Sequence, residues 1–108
     1  MTTSNQSGSQ AATIGTEHQL GAAITAAGVY ALVVDTANMA NGDVLELRAK
    51  TKCKAGSASR QAFFVTYAHA QADANKYSIP IPADVEVLFT LKQTAGTGRS
   101  FDWNILAL

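Results

Sequence analysis

Val44–Cys53 reads VLELRAKTKC. Leu45, Leu47, Ala49, Thr51 and Cys53 fall on one side of an extended chain, and Glu46, Arg48, Lys50 and Lys52 fall on the other. A period of two with apolar residues on one face is the pattern of an antiparallel strand that covers a core and faces water. It predicts that Leu45 and Leu47 point inward, with Cys53 a small buried hydrophobe at the end of the same row. The basic row Arg48, Lys50, Lys52 and Lys54 reads as a solvated face that discourages edge pairing.

The same period recurs outward from this stretch. Val85–Lys92 places Val85, Val87, Phe89 and Leu91 together, and Ser100–Leu108 places Phe101, Trp103, Ile105 and Ala107 together. Gln61–His69 alternates aromatic and small residues. Val29–Asp35 is apolar on both faces, as a central strand requires. Lys76–Ile81 is extended but contains Pro80, which restricts it to an edge because proline cannot donate to a ladder. Turn residues separate the runs at Asn38–Asp43, Lys54–Ser59, Gln71–Asn75, Pro82–Asp84 and Thr94–Arg99. Ala22–Gly28 reads as strand or loop rather than helix. The expectation is an all-β chain, a single β-sandwich or jelly-roll-like domain of seven to eight antiparallel strands spanning residues 13–108.

Residues 1–12 read differently. Met1–Gln10 is Ser, Thr, Asn, Gln and Gly, with no aliphatic or aromatic residue beyond Met1. Such a segment has too little apolar surface to offset its ordering entropy, so it is expected to be a flexible polar arm. It lacks the basic and apolar regions of a signal peptide, so synthesis in a cytosol is expected.

With 108 residues the chain is one domain's worth. Eight Lys and Arg balance eight Asp and Glu, and charged residues are only 15% of the chain. Nucleic-acid binding needs clustered cations, so this composition argues against it, and no apolar run is long enough for a membrane helix. One cysteine excludes an internal disulfide.

Leu91–Trp103, LKQTAGTGRSFDW, is the stretch nearest to a phosphate loop. A phosphate loop needs a helix after its glycines, whereas Arg99–Trp103 has strand composition. Gly96, Gly98 and Arg99 are therefore read as a hairpin turn, with both glycines supplying positive φ. His18 and His69 are too few and too scattered for a metal centre, and His69 with Asp73 is the one conceivable loop pair. Asp35, Asp43, Asp73, Asp84 and Asp102 read as turn-forming residues, with calcium binding by loop carboxylates left open. No nucleophile–base pair is visible, so neither catalysis nor a cofactor is expected.

Asp35–Lys52, Lys76–Pro82 and Leu91–Trp103 together resemble a family of small tailed-bacteriophage virion proteins associated with capsid decoration. The run Lys92–Arg99 is its most specific element, and Asp102 stands where proline is common in the family. The likeness covers Ile14–Leu108. It implies a virion structural protein on the outer surface of a phage head, present in many copies. The implied partners are a major capsid protein and other copies of the chain, as a trimer or other symmetric cluster. The polar residues Thr2, Thr3, Ser4, Asn5, Gln6 and Ser7 are the candidate partner contacts, ordering on docking. The alternatives are a carbohydrate-binding sandwich that presents aromatics to a sugar, and a tail or fibre component.

Overall fold

The computed structural model describes Met1–Leu108 and contains nine strands and no helix. Val44–Lys52 (β4) follows its alternation, with Leu45, Leu47 and Ala49 buried. It lies between Val87–Ala95 (β8) and Ser59–Ala68 (β5), antiparallel to both. Glu17–Gln19 (β2) adds to the far side of β8, giving the sheet order β2-β8-β4-β5.

The second sheet is built on Gly28–Asp35 (β3), whose two-sided apolar composition suits its central position. On one side β3 pairs with Ser100–Ala107 (β9), which in turn pairs with Thr3–Ala11 (β1). On the other side lie Asn75–Tyr77 (β6) and Ile81–Ala83 (β7), one edge broken in two around Pro80. At the break the Leu32 amide donates to Ser78 Oγ at 2.9 Å, and the Ser78 amide donates to the Leu32 carbonyl at 2.8 Å. The ladder is thus repaired where proline interrupts it.

Counting β6 and β7 as one interrupted strand, the sheets run 1-9-3-6/7 and 2-8-4-5, and the chain changes sheet repeatedly. That is a jelly roll, the double Greek key expected among the sandwich solutions. The two inner faces enclose Leu20, Leu32, Val34, Leu45, Leu47, Val87, Phe89, Leu91, Phe101 and Ile105, with Trp103 packed against them and half-buried. Because Leu47 is in the core and Lys50 is on the wet face, their truncations should differ sharply. Leu47→Ala is expected to cost about 2–5 kcal/mol in denaturant unfolding. Lys50→Ala should cost about 0.5 kcal/mol or less.

Two expectations are corrected here. Residues 3–11 are an edge strand in register with β9, from Thr3 opposite Ala107 to Ala11 opposite Ser100, rather than a flexible arm ending at residue 12. Ordering is supplied by the ladder and not by side-chain burial, because seven of the nine residues of β1 are exposed. Cys53 is exposed, because β4 ends at Lys52 and the chain has left the inward row one residue later.

Candidate functional site

The loop between β8 and β9 carries the most specific part of the resemblance. It is not a hairpin: β8 belongs to one sheet and β9 to the other, so Gly96–Arg99 arches across the end of the sandwich. Gly96 does adopt positive φ, at 89°, and a Cβ there would run into the Asp43 carboxylate. Gly98 does not have positive φ. It is small for another reason, since a Cβ would stand 2.7 Å from the Ala12 carbonyl oxygen. Both corrections have one cause, namely that the turn chemistry serves close packing at a crossover.

Under this arch is a buried polar knot. Asp43, 1% exposed, accepts from the Ala40 amide at 2.9 Å, the Thr97 amide at 3.1 Å and Arg99 Nε at 2.9 Å. Gln93, fully buried, donates to the carbonyls of Ala95 (3.1 Å) and Thr97 (2.7 Å) and accepts from the Arg99 amide (3.1 Å). The Ala40 amide first, and then the Arg99 guanidinium and the Thr97 amide, hold the Asp43 carboxyl below its ordinary range, against burial, which pushes it upward. Arg99 is therefore an anchor rather than an exposed turn residue. Gln93 occupies the inward position after Phe89 and Leu91, and a polar residue in that row was the readable sign of the knot.

The two histidines serve the backbone. His18 Nε2 accepts from the Thr13 amide at 3.2 Å, and His69 Nδ1 accepts from the Gly42 amide at 2.9 Å. His69 has φ of 67° and donates its own amide to the Asp43 carbonyl, so its hydrogen-bonding partner is the turn before β4 rather than Asp73. His, Cys, Asp and Glu side chains nowhere gather in threes. On the outer face of the four-stranded sheet three of the four basic residues are paired, Arg48 with Glu46 and Lys50 with Glu17 at 2.9 Å each and Lys52 with Glu86 at 3.7 Å, while Lys54 lies exposed beyond the end of β4. Arg48 also lies 4.7 Å above the exposed Phe64 ring.

The candidate partner contacts line the β1 edge. Thr3–Ser7 lie within β1 and Thr2 immediately precedes it. Ser4 Oγ donates to Asn104 Oδ1 at 2.6 Å. Gln6 turns inward and clasps residue 22, donating to the Ala22 carbonyl at 2.7 Å and accepting from its amide at 3.0 Å. Ser4 and Gln6 thus hold β1 to the body, leaving Thr2, Thr3, Asn5 and Ser7 as side chains free toward solvent.

A second surface lies on the outer face of β9, β3 and β6. Cross-strand register sets Asp102 opposite Asp35 and Asp35 opposite Asn75, with Asn104, Val33 and Tyr77 forming the next row. These six residues, with Trp103, line an open groove of about 210 Å³, and Tyr77 is 62% exposed. Two carboxylates directly opposed across strands cost a sheet some stability; Asp35 serves the turn after β3, its Oδ1 accepting from the Ala37 amide at 2.9 Å, and Asp102 is exposed. Carboxylates and amides beside an open aromatic ring suit hydroxyl groups and the apolar face of a sugar. Compared with protein-family models, curated proteins and solved structures, the chain matches none.

Proposed function

We propose that this chain is a virion structural protein, a capsid-decorating jelly roll that docks on the outer surface of a phage head in many copies. The observation that carries the reading is the combination of a rigid sandwich with a long, uncharged, solvent-facing strand edge at β1. Such an edge offers backbone donors and acceptors to a neighbouring protein without charge selectivity. The phage-like sequence motifs support it in a limited sense, because Gln93, Gly96, Gly98 and Arg99 build the arch and the knot beneath it rather than a binding surface. Weak contacts repeated over a lattice add up, so each copy needs little buried area. The major capsid protein is the partner in this reading, and no step of it requires catalysis or a cofactor.

The test is co-sedimentation of the full-length protein with purified, undecorated capsids. Saturation at a fixed ratio to the capsid protein is the expected result, and its absence at micromolar protein would overturn the proposal. The outer-face groove favours one rival, a carbohydrate-binding module. Retention on a glycan array that is lost in Tyr77→Ala and Asp102→Asn, with no capsid binding, would establish it.

A further inference from the structure

We propose that β1 is a self-pairing edge, through which two copies of the chain join antiparallel about a two-fold axis at Gly8. The ligand of this surface is a second copy, and the product is one sheet continuous across both molecules. The inference does not rest on the capsid reading and claims the same edge: a β1 paired with a second copy has no free backbone left for a capsid protein, which would then dock on another face.

β1 closes one end of its sheet, paired with β9 on one side only. It is nine residues long and carries no Lys, Arg, Asp, Glu or Pro. Proteins normally blunt such edges with charge, proline or short length, and the opposite edge of the same sheet does so. There β6 and β7 are three residues each, Pro80 and Pro82 interrupt them, and Lys76 turns in over the Tyr67 ring at 5.1 Å. β2 is only three residues. The β1 edge alone combines length with complete neutrality.

Its sequence also matches itself. An antiparallel pair of identical strands sets each residue opposite the one equally far beyond the axis. Gln6-Ser7-Gly8-Ser9-Gln10 is a palindrome about Gly8. The axis therefore brings Gly8 to Gly8 of the second copy, Ser7 to Ser9, and Gln6 to Gln10, each of the latter two pairs occurring twice. Serine hydroxyls both donate and accept, so opposed serines satisfy each other. No like charges meet, which is the usual obstacle to pairing a strand with its own copy. β5, the other long edge at ten residues, fails this test. Centred on Phe64 it would oppose Arg60 with Ala68 and Gln61 with Tyr67.

The remaining geometry leaves β1 free to pair. Register with β9 puts Ser7 opposite Asn104 and Ser9 opposite Asp102, on the outer face, where both side chains are exposed. Gly8 and Gln6 face inward, Gly8 beneath the Trp103 indole and Gln6 on Ala22. Pairing thus uses the unbonded backbone edge and the outward serines, and leaves the core-side contacts intact. An edge-to-edge contact of this length falls at the small end of stable interfaces, below roughly 1,200 Å² in total, so the dimer should be concentration-dependent. A three-fold cluster would have to use other surfaces.

Sedimentation equilibrium or native mass spectrometry on the full chain is the test. The expected species is twice the 11.3 kDa monomer, rising with concentration. Ser7→Lys/Ser9→Lys, which sets lysines opposite each other twice, should return it to monomer with an unchanged melting temperature. In a Cys53→Ser background, mixing separate Ser7→Cys and Ser9→Cys proteins should give a disulfide-linked pair, while either alone cross-links at least tenfold less. A protein that stays monomeric, assembles only as a trimer, dimerises equally well with the two lysines, or cross-links equally from Ser7→Cys alone would each overturn the proposal.

Discussion

Removing Thr2–Ala11 should unfold most of the protein at ambient temperature. β9 would lose eight ladder pairs, and the loss falls on the strand that carries Phe101, Trp103 and Ile105 into the core. Each ladder hydrogen bond contributes roughly 0.5–1.5 kcal/mol net, and Gly8 and the clasp of Gln6 on Ala22 also cover Trp103. The sum is on the order of 5 kcal/mol, close to the whole net stability of a domain this size. Because Trp103 is the only tryptophan, the effect has its own reporter. Its emission should shift to the red in the truncated protein under conditions where the full chain is folded. A truncated protein that melts within a few degrees of the full chain would mean that residues 3–11 are an arm after all.

Asp43→Ala should be the most damaging single substitution outside the apolar core, at about 3–4 kcal/mol. It strands the amides of Ala40 and Thr97 and frees the Arg99 guanidinium from its partner beneath the crossover. Removing the carboxylate is costly because the amides it served stay desolvated, whereas the Arg99 side chain, 31% exposed, can turn to water. A melting temperature lower by on the order of 15 °C is expected. The same carboxylate sets the direction of the acid response. Its pKa is lowered in the native state, so the unfolded chain takes up a proton at higher pH than the folded one does. Its contribution is therefore complete above the ordinary carboxylate range and is lost as pH falls through the native value. Asp43→Asn should be less stable at neutral pH and lose less on acidification below about pH 4, so the two stability curves converge. Parallel curves would show that the carboxyl is not held by these donors.

What could be read in advance followed the hydrophobic period. β4 and β9 bury alternate residues, as β8 does apart from the additionally buried Thr90, so their faces were legible, and β3 announced its central place by being apolar on both sides. β1 carries no such signal, because an edge strand held by backbone bonds leaves its side chains free to be polar on both faces. The glycines of the arch misled for a related reason. A local turn looks alike whether the next strand returns to the same sheet or crosses to the other, and only the partners of β8 and β9 distinguish the two. On the candidate surfaces, Ser7 and Asn5 were legible as exposed polar residues. The facing of Asp35 and Asp102 was not, since it arises from register between strands that lie 67 positions apart in sequence.

The pairing of β1 with β9 also fixes when the molecule can be finished. Ser4 and Asn104 are 100 positions apart, so β1 must wait until β9 has been made before the two can pair. Contacts of such separation slow folding, because a long loop must close before any gain is realised. A nascent chain of this kind should carry β1 unpartnered until β9 has followed it. Serine, glutamine and glycine suit that interval, since they stay hydrated and give passing chains no apolar surface to seize. The composition that hid β1 among the strands thus keeps it harmless until β9 leaves the exit tunnel.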